Sequence, residues 1–177
     1  MNLVIDIGNT KVKVAVFELD TIITTIVCEE INLLEELKKI LNKYPIIQSI
    51  VSSVKDIKEE YRKEINKLPL LVTLNTTTPL PFKNRYTTPS TLGNDRIALA
   101  AAAVCIHPLK NTLVIDAGTC ITYDFINSKN EYLGGAISPG IGMRYKSLHQ
   151  YTGKLPLLSK NEEFKLIGTS TKSSIHS

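Results

Sequence analysis

The sequence contains no tryptophan, three histidines and three cysteines. The cysteines, Cys28, Cys105 and Cys120, are odd in number and show no Cys-x-x-Cys or Cys/His spacing, which argues against a disulfide framework or a zinc site. We expect them to be buried, reduced thiols. No apolar run approaches the length of a membrane span, and Asp6 interrupts what would be the apolar region of a signal peptide. The sequence therefore predicts a cytoplasmic protein with no membrane partner.

A strongly basic surface is also missing. The formal net charge is +4, from 21 Lys and Arg against 17 Asp and Glu, and Lys alternates with Glu in residues 35–39 and 58–64, as on solvated helix faces. No basic stripe with interleaved aromatic residues is present, so nucleic acid is not expected as a partner. The mild positive balance suits a small anionic substrate such as a nucleotide. A chain of 177 residues is long enough for one domain, or for two small ones that share a cleft.

The spacing of apolar residues predicts an α/β protein. Strands are predicted at 3–7, 12–18, 22–27, 46–51, 70–74, 112–116, 122–126 and 132–137. Helices are predicted at 30–43, 57–68, 94–106 and 141–151. Residues 75–92 are rich in Thr and Pro and lack periodicity, which predicts a long loop of the kind that often carries function.

One motif occurs twice. Residues 3–8 read Leu-Val-Ile-Asp-Ile-Gly, and residues 113–118 read Leu-Val-Ile-Asp-Ala-Gly, 110 positions later. This separation is too long for a solenoid repeat. It favours a duplicated domain in which each half opens with a strand, an aspartate and a tight glycine turn.

The first copy ends in a turn with the chemistry of a phosphate-binding loop. Gly8 and Asn9 can adopt a positive φ and turn their N–H groups outward, where they would cradle a phosphate. Asp6 can hold Mg²⁺ directly or through water, while Lys11 or Lys13 neutralises phosphate charge. The alternative is a plain β-hairpin whose aspartate only satisfies turn amides.

A third group of polar residues lies where the long loop enters a helix, at residues 93–96. Asn94 or Asp95 has a simple interpretation as a helix cap or first-turn acid. The functional interpretation is that Asp95 accepts the proton of an attacking hydroxyl group, while Arg96 binds a carboxylate or a phosphate.

Together these motifs resemble the type III pantothenate kinases, which belong to the actin-like ATPase and sugar-kinase superfamily. The matching segments are 6–10, Tyr86 with Thr88 and Pro89, 93–96, 116–119, 134–140, 143–144 and 155–156. The resemblance implies duplicated ribonuclease H-like (actin-like ATPase) domains with mixed sheets flanked by helices. The first would span 1–110 and the second 111–177, and the second would be incomplete because family members continue through further helices.

The resemblance also implies an activity, the ATP-dependent phosphorylation of pantothenate to 4′-phosphopantothenate in the first step of coenzyme A biosynthesis. Asp95 would be the catalytic proton acceptor, Asp116 would bind a monovalent cation (K⁺ or NH₄⁺), and Asp6 would bind Mg²⁺. The residues assigned to ATP are Asp6, Gly8, Asn9, Thr10, Lys11, Lys13, Gly118 and Thr119. The residues assigned to pantothenate are Tyr86, Gly93, Asn94, Arg96 and Thr171.

Thr171 would reach pantothenate from the partner subunit of a homodimer. The small apolar residues of the helix at 94–106 also favour self-packing.

The sequence leaves two alternative functions open. One is a superfamily kinase with another small-molecule acceptor, although residues 93–96 argue for pantothenate. The other is a non-catalytic nucleotide-binding regulator or pseudoenzyme, similar to the Bvg accessory factors, although the presence of all three aspartates favours catalysis.

Overall fold

The computed structural model describes residues 1–161 and 165–177. The strands are β1 (Asn2–Ile7), β2 (Val12–Glu18), β3 (Thr21–Cys28), β4 (Gln48–Ser53), β5 (Leu71–Thr73), β6 (Lys83–Asn84), β7 (Thr112–Ala117), β8 (Cys120–Ile126) and β9 (Glu131–Pro139). The helices are α1 (Leu33–Lys43), α2 (Glu59–Ile65), α3 (Asn94–Ile106), α4 (Ile141–Gln150) and α5 (Thr171–His176). The chain is therefore a mixed α/β protein, as its periodicity predicts.

The first sheet has the strand order β3-β2-β1-β4-β5. Strands β1, β2 and β3 pair antiparallel through short turns, whereas β4 is parallel to β1 and β5 is parallel to β4. Each parallel pair needs a crossover connection, which α1 and α2 supply. The carboxyl ends of β1, β4 and β5 consequently meet at one edge of the sheet.

Helix α1 covers the core face of this sheet. Leu33, Leu37 and Ile40 follow helical spacing and are buried, and they join the core formed by β1 and β2. The most deeply buried strand residues include Leu3 and Ile5, each 0% exposed. Burying such a side chain stabilises the fold by about 1.5–3 kcal/mol, so this core holds the loop after β1 in place.

The second sheet repeats the antiparallel meander in its strand order β6-β9-β8-β7. Strand β7 carries the second copy of the repeated motif, but its side chains have a different environment from those of β1. Leu113 and Ile115 are 56% and 57% exposed, and Ile137 of β9 is 63% exposed. The same sequence pattern is thus buried in one sheet and open to solvent in the other.

Helix α3 lies between the two sheets and contacts β4, β7 and β8. Its inward residues, among them Ile97 and Ala100, pack with Ile126 of β8, Tyr132 of β9 and Phe82 in a second core. This core includes residues on both sides of the predicted division between 1–110 and 111–177. Strand β6 of the earlier segment also pairs with β9. The division itself stays a prediction.

Several expectations need correction. The cysteine thiols are free, but they are not buried: Cys105 is exposed, and Cys28 and Cys120 are half-buried. The loop at 75–92 contains the short strand β6 and a 3₁₀ turn at Pro89–Thr91, and α5 was not predicted. Within the described residues, no helix is long and apolar enough to cross a membrane.

Candidate active site

The first candidate loop connects β1 to β2. The Gly8 N–H donates to the Lys11 carbonyl oxygen at 3.1 Å, which closes the turn, while Asn9 and Thr10 are exposed at its tip. The expected positive φ is not found at Gly8 or Asn9. A Cβ atom at Gly8 would lie only 3.0 Å from the Lys11 oxygen, so the glycine is needed for close backbone approach and not for a left-handed conformation.

The second candidate loop connects β7 to β8, and its strand pairing closes one residue earlier: Ile7 pairs with Val12 in the first sheet, and Ala117 pairs with Ile121 in the second. Strand β7 pairs with β8 so that Asp116 lies opposite Thr122, just as Asp6 lies opposite Lys13 in the first sheet. The Gly118 N–H donates to the Cys120 carbonyl oxygen at 2.9 Å. Because Thr122 is its cross-strand neighbour, Asp116 lacks the lysine that lies opposite Asp6.

The connection from β9 to α4 packs tightly against this second loop. The Gly140 N–H donates to the Thr119 carbonyl oxygen at 3.1 Å. A Cβ atom at Gly140 would overlap the carbonyl oxygens of Gly118 and Thr119, so only glycine fits here. The segment 134–140, which entered the sequence analysis only as part of the resemblance, thus ends in a glycine that packs against the second loop.

The two loops face and touch each other. The Oγ1 atoms of Thr10 and Thr119 are 3.1 Å apart and share a hydrogen bond. Burial raises the pKa of Asp6 above its ordinary value of 3.8; Lys13 opposes this shift, whereas Asp95 and Asp116 add to it. The three aspartates that sequence analysis selected are therefore close enough to interact electrostatically.

The carboxylates of Asp6 and Asp116 fit cations that are bound by the protein and a nucleotide together. No group of three His, Cys, Asp or Glu side chains converges as a metal cage in the described part of the chain. Asp6 and Asp116 instead offer single carboxylates beside two open loops. Mg²⁺ is commonly held by one or two carboxylates together with substrate phosphates and water, and the negative field of the aspartates favours cations.

The start of α3 holds Asp95 in a defined orientation. The Oδ1 atom of Asp95 accepts a hydrogen bond from the Arg96 N–H at 2.9 Å. Gly93 is the N-cap, and a Cβ atom there would overlap this same Oδ1 atom. The absence of a side chain at Gly93 therefore permits the observed position of the Asp95 carboxylate.

Asn94 anchors the same turn to the first sheet. Its Nδ2 group donates to the Ser53 carbonyl oxygen at 3.1 Å and to the Leu74 carbonyl oxygen at 3.0 Å. A pocket of about 290 Å³ lies beside it, with Lys55 and Arg62 also in its lining. Both amide hydrogens of Asn94 are thus used within the protein.

Arg96 connects the same turn to the second sheet. Its Nε atom donates to Oδ1 of Asp124 at 2.8 Å, and Nη2 lies 2.7 Å from the same oxygen as an ion-pair contact. The Tyr132 hydroxyl group donates to that oxygen at 2.6 Å, and the Tyr86 ring centroid lies 5.7 Å from the guanidinium carbon. Arg96 is 5% exposed and Asp124 is 0% exposed, so this is a buried ion pair.

Asp124 and Tyr132 were not predicted as site residues. The available signal was period-2 alternation in β8, which places Asp124 on the same face as Thr122 and Ile126, all three of them buried. A carboxylate on a core-facing strand position requires a buried partner. The pairing of Tyr132 with that carboxylate also raises the pKa of its hydroxyl group, after the larger effect of burial.

The remaining predicted residues lie around the site. Lys11 makes an exposed ion pair with Glu29 at 3.1 Å. Thr171 is exposed in the first turn of α5, a helix attached to α4 by a hydrogen bond between Tyr145 and His176. Within the described residues, no hydrogen bond joins Thr171 to either loop.

Comparison with known proteins identifies the family. A family model described as type III pantothenate kinase matches residues 2–177. The chain belongs to this family. Proteins named type III pantothenate kinase include relatives from Christiangramia forsetii, 50% identical over 99% of this chain and 72% of the relative, and from Flavobacterium johnsoniae, 46% identical over 100% of this chain and 73% of the relative.

The fold of this chain also occurs in solved structures. A Campylobacter jejuni protein described as a Baf family transcriptional activator has a TM-score of 0.60 at 20% identity, over 98% of this chain and 71% of that one. The Clostridium difficile activator of 2-hydroxyisocaproyl-CoA dehydratase, solved with bound ADPNP, has a TM-score of 0.50 at 13% identity, over 98% of this chain and 62% of that one. At these identities, the likeness concerns the fold alone.

Proposed function

We propose that this chain transfers the γ-phosphoryl group of ATP to the hydroxyl group of pantothenate, which forms 4′-phosphopantothenate for coenzyme A biosynthesis. The observation that carries the proposal is the contact between Thr10 and Thr119, which sets two glycine-turn loops face to face. Membership of the type III pantothenate kinase family supplies the acceptor. No observation favours a non-catalytic regulator or a different small-molecule acceptor.

Phosphoryl transfer asks a protein mainly for positioning and charge stabilisation. In the proposed mechanism the residues of the first loop, Asp6, Gly8, Asn9, Thr10 and Lys11, bind ATP together with Mg²⁺. Lys13, opposite Asp6 in the sheet, offsets part of the negative charge. Gly118 and Thr119 contact ATP from the second loop.

Asp116 is the proposed ligand of a monovalent cation, K⁺ or NH₄⁺. Its cross-strand neighbour is Thr122, where the first sheet has Lys13 opposite Asp6. A cation at Asp116 would supply, when bound, the positive charge that a lysine supplies on the other side. This charge would stabilise the phosphate oxygens during transfer.

Asp95 is the proposed proton acceptor for the pantothenate hydroxyl group. A carboxylate in this role needs a fixed position within hydrogen-bond reach of the hydroxyl, and its Oδ1 atom is already oriented by the Arg96 N–H. Tyr86, Gly93, Asn94 and Arg96 shape the acceptor side. In the proposed homodimer, Thr171 of a second subunit completes the acceptor side. Sedimentation that shows only monomer would contradict the homodimer.

The proposed architecture is a pair of ribonuclease H-like halves, 1–110 and 111–177. Its support is the repeated strand pair: both halves begin with a strand that carries the Leu-Val-Ile-Asp pattern and pairs antiparallel with the next strand. Leu113 and Ile115 are exposed because they lie on the face of β7 opposite to Val114, which packs in the second core.

The activity is tested by mass-spectrometric detection of 4′-phosphopantothenate from pantothenate, ATP and Mg²⁺, with K⁺ exchanged for Na⁺ in a parallel sample. We expect product with K⁺, much less with Na⁺, and a residual rate about 10²-fold to 10⁴-fold below that of the wild type for Asp95→Asn, because a general base contributes on that order. Absence of product from the folded wild-type chain contradicts the proposed function. Product that persists fully in Na⁺ contradicts the cation assignment alone.

A further inference from the structure

The Asn94 side chain bridges the ends of two parallel strands. Ser53 is the last residue of β4, and Leu74 directly follows β5. The Asn94 Nδ2 group donates to the carbonyl oxygen of each, at 3.1 and 3.0 Å. These two bonds join the first turn of α3 to residues 41 and 20 positions earlier in the chain. They attach the start of α3 to the ends of β4 and β5, which helix formation alone would not do.

The strand end that Asn94 holds lies beside the first loop. In the parallel pair of β1 and β4, Asp6 is in register with Ser52, and Ile7 with Ser53. The carbonyl oxygen that accepts the bond from Asn94 therefore belongs to the residue beside the start of the loop. Asp95 is consequently linked through its neighbour to the same sheet edge that carries Asp6.

We propose that Asn94 is a positioning residue that fixes the Asp95 carboxylate relative to the first loop. The inference rests on the proposed function, in which Asp95 accepts the proton of the acceptor hydroxyl. A carboxamide has two donor hydrogens, and both are already bound to backbone oxygens. Asn94 therefore acts on the reaction through Asp95, and contributes no donor to pantothenate.

Displacement of the Asp95 carboxylate, the proposed general base, should lower kcat more than it weakens substrate binding. A displacement of about 1 Å can reduce rate on the order of 10²-fold, whereas the substrate contacts made by other residues persist. For Asn94→Ala we expect kcat to fall on the order of 10-fold to 10²-fold, with KM for pantothenate and for ATP within about twofold, since uniform binding is unchanged. A rise in KM for pantothenate at constant kcat overturns the proposal and makes Asn94 a ligand.

A double-mutant cycle separates positioning from general damage. If Asn94 acts through Asp95, Asn94→Ala should have almost no further effect on kcat in the Asp95→Asn background, because effects of residues that act as a unit are not additive. Multiplied losses in the double variant overturn the proposal. Asn94→Asp keeps the shape of the side chain but places carboxylate oxygens against two carbonyl oxygens. Its kcat should therefore be no higher than that of Asn94→Ala.

Asn75→Ala is the matched control. Asn75 also donates from its carboxamide to a backbone oxygen near the end of β5, that of Thr73 at 3.0 Å, but it does not hold α3. We expect kcat of this variant to equal that of the wild type. A loss equal to that of Asn94→Ala would show that any disturbance of this turn lowers activity, and would overturn the proposal.

Hydrogen exchange supplies a readout that needs no turnover. The Arg96 N–H bonds to the Asp95 side chain, and the Ile97 N–H bonds to the Gly93 carbonyl oxygen. In Asn94→Ala both amides should exchange faster, while those in the middle of β1 stay protected. Unchanged exchange at these amides overturns the inference. An inactive wild-type chain with this exchange difference instead contradicts the proposed function and leaves the positioning contact established.

Discussion

The hydroxyl groups of Thr10 and Thr119, 109 positions apart in the sequence, share a hydrogen bond with their Oγ1 atoms 3.1 Å apart. It connects the tips of the loops after β1 and β7, the two strands that open with the same motif. Both threonines are exposed, so the hydroxyl groups are accessible to a nucleotide that enters between the loops.

Thr119→Val should weaken ATP binding. The substitution keeps the shape of the side chain but removes a hydroxyl group that is proposed to contact phosphate, and a hydrogen bond of about 1 kcal/mol corresponds to roughly a fivefold rise in KM for ATP. Steady-state kinetics with varied ATP measures this. Thr25→Val, on exposed strand β3, is the control and should leave KM unchanged; an equal KM in Thr119→Val would remove Thr119 from the ATP site.

Gly93→Ala should inactivate the protein without unfolding it. The φ and ψ values of Gly93, −59° and 139°, are allowed for alanine, but the new Cβ would overlap the Asp95 carboxylate. We expect Asp95 to rotate away and kcat to fall on the order of 10²-fold. Gly153→Ala, where a Cβ meets no atom within 4 Å, should retain full kcat. Equal activity of both variants would show that the orientation of Asp95 is unimportant.

Asp124→Ala should destabilise the fold strongly. It leaves the Arg96 guanidinium group buried without its carboxylate, and breaking a buried ion pair in this way costs about 3–5 kcal/mol of unfolding free energy. Urea denaturation followed by circular dichroism measures the loss. The control is Glu131→Gln, which breaks the more exposed ion pair with Arg85 and should cost less than about 1 kcal/mol. Similar losses in both variants would contradict the importance of the buried pair.

Asp6→Asn should stabilise the metal-free protein while it abolishes activity. Folding raises the pKa of Asp6, mainly through burial, so the folded state holds the proton more tightly than the unfolded state does. Ionisation of Asp6 therefore lowers the free energy of unfolding as pH rises from the ordinary value of 3.8 through the raised folded-state pKa. Urea denaturation in chelator should show the variant more stable than wild type at pH 7. This advantage should vanish in acid below the unfolded-state pKa; an advantage independent of pH would contradict the electrostatic cause.

Local sequence patterns determined most of the secondary structure. Strand β2 and helix α3 have the predicted limits, because alternation and helix propensity act between near neighbours. The repeated motif also indicated two similar strand-turn-strand units, and both fold as antiparallel strand pairs, with the second register one residue shorter than the first. The resemblance to the type III pantothenate kinases was recognisable from the motifs, and the family model that matches residues 2–177 confirms it.

Burial and partner identity were decided by the tertiary structure. The pattern Leu-Val-Ile-Asp is identical at residues 3–6 and 113–116, yet Leu3 is 0% exposed and Leu113 is 56% exposed, because exposure depends on which distant segment covers the strand. Likewise, the sequence marked Arg96 as a candidate ligand but could not show its pairing with Asp124, 28 positions away. Such contacts are formed only when the chain folds, since they depend on how α3 packs between the two sheets and not on local propensity.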